Sequence, residues 1–357
     1  MNNRLKTILK LEIIGDIGGE EGKNSDIKLA RDHQLGADLA VKIIPKEKFI
    51  KDFGTGSENM FFTEAKMIYA NQHPNIVKIQ YASSCTNNIY YTMPFYKNGS
   101  LNKLIDRRYL KVREIIKYSL EFLSGIHYIH TNNLYHFDIK PTNVLINDNG
   151  KAMLTDFGLS RYTDNYGVAK YSQFYLSHFP AECIGTDVAT KHADIYQAGL
   201  TIYRMCNGNN CFHRQYDFWK EQKKLNFAIK EEKFPKREYL PHIPSKLRRI
   251  INKALRSDPD RRYQTILGMM NDISKIEKNL DTRFYRKDDN NWIWEQDNLN
   301  RTHYDKISII VDGNDIITKG QKVRLSDNKT TNINCLDKSG HNNIKEAFRF
   351  VEKYINN

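Results

Sequence analysis

The chain has 357 residues, too many for one small core, with 40% hydrophobic and 27% charged residues, the balance of a soluble protein of two or three folding units. No apolar run is long enough for a secretory signal or a membrane span, because Lys10 and Glu12 interrupt the N-terminal candidate; the expectation is a cytoplasmic protein without membrane contact. Of the formal charge of +13, +12 lies in residues 1–280, so the body attracts acidic partners, but no nucleic-acid motif accompanies it and DNA or RNA binding has no support.

In chain order, "LKLEIIGDIG", "SDIKLARD" and "ADLAVKII" are alternating apolar runs broken by Gly, Asn and Asp, and predict strands. "SENMFFTEAKMIYANQ" has helical spacing and stops before Pro74. "IVKIQYASS" and "NIYYTMPFY" return to strand. From Ser100 the pattern turns helical, through "SLNKLIDRR" and "KVREIIKYSLEFLSGIHYIHTNN". A small hairpin is predicted in "PTNVLINDNGKAMLTDFG", then irregular chain to Glu182, then helices in "DIYQAGLTIYRMCNG", "PSKLRRIINKALRSDP" and "YQTILGMMNDISKIEKNL". Strands first and helices second predict an α+β, two-lobed architecture. Beyond Asp281 the charge is near neutral; the Asp312-Gly313 turn and the amphipathic spacing of Ile344, Ala347, Phe348, Val351 and Ile355 predict a small ββα module. Trp292 and Trp294, at alternate strand positions, are expected to pack rather than to form an exposed platform. The five cysteines are scattered, which argues against a disulfide framework, and Cys206, Cys211 and His213 are read as loop and core residues rather than zinc ligands.

The chemistry concentrates in "HFDIKPTN". The Asp138 carboxylate can accept a proton, the Lys140 ammonium can hold a phosphate, and the Asn143 amide oxygen can ligate a hard cation such as Mg²⁺. Around it stand, in order, "LAVKII", a helical glutamate nine residues before the histidine of "HPNIV", then "DFG", "FPAE", "DIYQAG" and "DPDRRY".

On these motifs the first 280 or so residues resemble a eukaryotic-type (Hanks-type) serine/threonine protein kinase of bacterial style. The resemblance implies a bilobal protein-kinase-like fold: an N-lobe at 1–96 with an antiparallel sheet and one helix, a mainly helical C-lobe at 97–282, and an accessory module at 283–357. It implies ATP and Mg²⁺ as cofactors and protein substrates. Lys42 would hold the α- and β-phosphates and Glu64 would fix Lys42. Asp138 would be the base, Lys140 would stabilise the phosphoryl group in transit, and Asn143 and Asp156 would ligate Mg²⁺. Ile27, Ala40, Met93, Tyr96 and Leu145 would line the adenine pocket. Ile68, Ile79, His136 and Phe157 would stack as a spine, Glu182 and Arg262 would form a buried ion pair, and Asp194 would brace the catalytic loop.

Three departures stand out. The phosphate-covering loop has two registers: one uses Gly19 and Gly22 as the last two family glycines, the other puts Ile27 on the family valine and Glu20, Gly22 and Ser25 at the three glycine positions. The second gives the adenine an apolar roof. Phe137 replaces the arginine that often precedes the catalytic aspartate, so the segment from Asp156 to Glu182 is expected to order without phosphorylation. Tyr175 sits where the family usually has threonine. The alternatives are a scaffold that has kept the fold with weakened nucleotide binding, and a small-molecule kinase.

Overall fold

The computed structural model describes residues 10–18, 26–47, 50, 62–171, 174–298 and 302–356. The first lobe is built on a five-stranded antiparallel sheet in the order β1-β2-β3-β5-β4, with β1 at Glu12–Asp16, β2 at Asp26–Asp32, β3 at Ala37–Pro45, β4 at Tyr81–Ser84 and β5 at Asn88–Pro94. Strand β3 is central and covered on both faces, so Leu39, Ala40, Val41 and Lys42 are all buried in succession. Its register sets Lys42 opposite Ile27 on one side and Tyr91 on the other.

Helix α1 (Thr63–Ala70) packs Ala65, Met67 and Ile68 inward. It ends three residues before His73, because the buried Asn71 side chain donates to the Met67 carbonyl at 2.8 Å and satisfies the last turn. Asn132, at the end of a long helix of the second lobe, donates to Asn71 at 2.8 Å, tying the two lobes at this helix end.

The second lobe forms around α3 (Val112–Thr131) and α4 (Lys191–Asn207), with α2 (Leu101–Arg107), α5 (Asn209–Glu221), α6 (Leu225–Lys230), α7 (Ser245–Ala254) and α8 (Ile266–Ile273) packed about them. Helix α4 is buried along almost its whole length. Gly199 permits this: a Cβ there would meet the Ala254 Cβ at 2.9 Å, so only glycine lets α4 and α7 approach this closely. The hairpin at Val144–Ile146 and Ala152–Leu154 forms as expected, directly after the loop of Asp138. No helix among the described residues is long and apolar enough to cross a membrane.

The C-terminal module is larger than two strands and a helix. Five antiparallel strands run in sequence order, β6 (Arg283–Asp288), β7 (Asn291–Asp297), β8 (His303–Asp312), β9 (Asp315–Arg324) and β10 (Thr330–Asn332). The hairpin at Asp312-Gly313 and the terminal helix α9 (Ile344–Ile355) are present. The extra strands escaped the apolar pattern because β6 buries one residue, Phe284, and β10 is exposed throughout. Trp294 is fully buried with Phe284, Ile307, Ile309, Ala347 and Val351.

This core is shared with the second lobe. Tyr109 meets Phe284 edge-on at 4.6 Å, and the Trp294 indole N–H donates to His242 Nδ1 at 3.3 Å. Burial, aided by Arg248, holds His242 at about 3, so the imidazole is neutral and can accept that bond. Arg248 on α7 pairs with Glu352 on α9 at 2.6 Å.

Candidate active site in the interlobe cleft

Three charged side chains meet where the lobes face each other. Lys42 Nζ lies 2.8 Å from Glu64 Oε1 and 2.8 Å from Asp156 Oδ1. Strand β3 supplies the ammonium, α1 the glutamate, and the turn after the hairpin the aspartate. Burial works against the charge on Lys42, yet the two carboxylates raise its pKa well above the ordinary value. Desolvation also opposes ionisation of Asp156, but the Lys42 charge and hydrogen bond hold its carboxyl at about 2. Asp156 is therefore an anion, with 40% of its side chain open to the cleft.

The loop from His136 to Asn143 is held from below. The Asp194 carboxylate accepts from His136 N and Phe137 N, each at 2.8 Å, and from His130 Nε2 at 2.7 Å. One helical turn on, Gln197 donates to the Phe137 carbonyl at 3.0 Å and accepts from Ile139 N at 2.9 Å. Four backbone groups of the loop are fixed by two side chains of one buried helix, which is why its shape survives without regular structure. His136 accepts from Asp138 N at 3.2 Å and donates to the Thr155 carbonyl at 3.1 Å; both ring nitrogens are used, so it is a packed histidine and not a free base. Its ring lies 4.9 Å from that of Phe157, and Phe157, Ile68 and Ile79 belong to the same apolar core.

Asp138 is 7% exposed. Its Oδ2 accepts from Asn143 Nδ2 at 2.8 Å and lies 3.1 Å from Lys140 Nζ, while Oδ1 is buried and has no hydrogen-bond partner. Burial raises the Asp138 pKa and Lys140 offsets only part of that. The result is a carboxylate with one oxygen committed and one buried without a hydrogen-bond partner. Asn143 also donates to the Asp138 carbonyl at 2.8 Å, so its amide nitrogen is spent and its oxygen is the atom available to a cation.

Ile27, Ala40, Met93, Tyr96 and Leu145 fall in one apolar cluster beside these groups. Ile17 N and Gly18 N both donate to the Ile27 carbonyl, at 3.0 and 3.1 Å, which closes the stem of the first hairpin with Ile27 facing that cluster. Gly19, Glu20, Gly22 and Ser25 lie outside the described residues.

A model of the protein kinase domain matches residues 11–273 of the chain. This chain belongs to the protein kinase family. Among curated proteins it is 30% identical over 276 residues to the serine/threonine-protein kinase PrkC of Bacillus subtilis, covering 74% of this chain and 40% of that one. It is 27% identical over 277 residues to a probable serine/threonine-protein kinase of Clostridium perfringens, covering 75% of this chain and 38% of that one. A CBL-interacting serine/threonine-protein kinase of Arabidopsis thaliana is 26% identical over 277 residues, with 75% and 54% covered. The chain thus spans about half or less of the length of these relatives.

Next to Asp138 in this kinase domain stands Phe137. This residue is fully buried, with φ at +64°, in a cluster with Tyr135, Ala169, Phe174, Cys183 and Ala189. Ring centroids lie 5.5 Å from Phe174 and 6.4 Å from Tyr171, and those two lie 4.2 Å apart. An apolar knot therefore joins the loop of Asp138 to the segment that follows Asp156. Below it Arg262 grips Glu182 in two parallel bonds of 2.7 and 2.6 Å.

Sequence reasoning missed several residues of the kinase site. Ile17 and Met153 join the apolar cluster of Ile27, Ala40 and Met93, and Lys42 Nζ sits over the Tyr91 ring at 5.4 Å. Tyr91 is the cross-strand partner of Lys42, a pairing that only strand register reveals. Gln197 was within a quoted motif but carried no role until its contacts were visible.

Proposed function

We propose that this chain is an ATP- and Mg²⁺-dependent serine/threonine protein kinase whose activation segment is set in place without a phosphate. The observation that carries the proposal is the pairing of a closed Lys42–Glu64–Asp156 cluster with an Asp138 carboxylate that has one oxygen uncommitted. Mg²⁺ commonly binds through one or two protein groups plus substrate phosphates, so the Asp156 carboxylate and the Asn143 amide oxygen suit it; when bound it would offset phosphate charge. The pocket cluster of Ile27, Ala40, Met93, Tyr96 and Leu145 would take the adenine, and Lys42, fixed by Glu64, the phosphates. Asp138 would orient the acceptor hydroxyl and take its proton as its oxygen bonds to the γ-phosphorus and the bond to the leaving diphosphate breaks. Lys140 would neutralise charge on the group in transit.

Serine or threonine acceptors are supported by Lys140 at its place in "DIKPTN" and by the serine/threonine kinases among the relatives. Independence from activation-segment phosphate is supported by the aromatic knot at Phe137. The charge of +12 on residues 1–280 supports acidic protein partners.

The test is transfer from γ-labelled ATP with Mg²⁺ to a mixture of protein acceptors, followed by hydrolysis to phosphoamino acids. Phosphoserine and phosphothreonine are expected. Label confined to phosphotyrosine would overturn the acceptor class, and transfer only to a small hydroxyl compound would make this a small-molecule kinase.

A further inference from the structure

We infer that Tyr175 is a positioning residue for Lys140: its ring face, rather than its hydroxyl, holds the ammonium over Asp138. The inference rests on the reading of the cleft as a phosphotransferase site. The Tyr175 ring centroid lies 4.3 Å from Lys140 Nζ, and that nitrogen lies 3.1 Å from Asp138 Oδ2. Lys140 is 7% exposed, so the ammonium is held between a carboxylate and a π face with little water. A cation over an aromatic face gains most where it is desolvated. An ammonium has three donors that rotate freely on a flexible stem. With Asp138 and the ring each taking one side, the remaining donors are confined to the open side, where a transferred group would pass.

The ring has its own anchor. Tyr175 opens the turn Leu176–His178, and the His178 ring lies 6.1 Å from it. His178 is buried and uses both nitrogens: Nδ1–H donates to the Ile139 carbonyl at 3.0 Å and Nε2 accepts from Arg204 Nη1 at 3.2 Å. Burial and the neighbouring cations push its pKa well below the ordinary value, which fixes this neutral tautomer. The turn that carries Tyr175 is therefore pinned to the residue just before Lys140.

The experiment separates ring from hydroxyl. Tyr175→Phe should retain most of the wild-type kcat, whereas Tyr175→Leu should lower kcat by about 10- to 30-fold, the worth of a desolvated cation–π contact, with KM for ATP little changed. In a Lys140→Ala background, Tyr175→Leu should cost less than about 2-fold, because a pairwise contact is lost only once. A second reading does not depend on activity: with carbon-labelled lysine, the Lys140 ε-methylene resonance should be shifted upfield in wild type and Tyr175→Phe and lie at its ordinary position in Tyr175→Leu. A Phe variant as slow as the Leu variant, a full Tyr175→Leu loss without Lys140, or an unshifted wild-type methylene overturns the inference. No phosphate transfer by wild type with the methylene still shifted would uphold the ring contact and overturn the kinase reading instead.

Discussion

Replacing Asp138 with Asn should lower phosphoryl transfer by about 10²- to 10⁴-fold, the usual contribution of a positioned base, while Mg²⁺-ATP still binds. The substitution keeps the shape of the side chain, so the contacts from Asn143 and Lys140 have an oxygen to meet, but the group can no longer take a proton. Nothing in the proposed nucleotide site is removed, since Lys42, Glu64 and Asp156 form their own cluster. Steady-state kcat beside calorimetric nucleotide affinity checks the split. The pH profile adds a sign. Burial raises the Asp138 pKa above the usual carboxylate value, and the base works only when ionised. The wild-type rate should therefore fall with acid sooner than an ordinary Asp would require, and the residual rate of the Asn variant should lack that limb. Equal rates for both proteins would remove Asp138 from the reaction.

Phe137→Ala should destabilise the second lobe by about 3–5 kcal/mol, the range for truncating a buried aromatic ring. Phe137 touches Tyr135, Tyr171 and Phe174, so the loss falls on the join between the loop of Asp138 and the segment from Asp156 to Glu182. Backbone amides of Ala169–Lys170 and Ala181–Cys183 should exchange faster, and the unfolding temperature should drop. The backbone at Phe137 is already at positive φ, which alanine tolerates no better, so the variant gains nothing to offset the lost ring. Unchanged exchange across the segment would mean that the Glu182–Arg262 pair and the Tyr171 hydroxyl, which donates to the Cys183 and Thr186 carbonyls, hold it alone.

The two lobes and the charged centre were legible because their signals are local or fixed in spacing. Lys42, Asp138, Lys140, Asn143 and Asp156 sit in short motifs, and the backbone that carries them varies little once those motifs are recognised. The absence of arginine at 137 was also legible, but not the aromatic knot around Phe137, because it draws on Tyr135, Phe174 and Phe179, spread over 45 positions. Contacts set by strand register, such as Tyr91 beneath Lys42, leave no trace in composition. The accessory sheet was under-read for a different reason: its edge strands bury one side chain or none, so apolar alternation had nothing to report. Its attachment through Trp294 and His242 joins residues 52 apart in sequence and of unlike character.

The most direct test of the account is the first turnover of protein shown by mass to be free of phosphate, mixed with γ-labelled ATP, Mg²⁺ and a protein acceptor. The account predicts label on acceptor serine or threonine from the first time point, with no lag and at a rate that prior phosphorylation of the segment does not raise. A lag that ends only when the chain has phosphorylated itself would contradict the role given to Phe137. Firm binding of Mg²⁺-ATP with no transfer at all would contradict the account at its centre, and the fold would then be a scaffold.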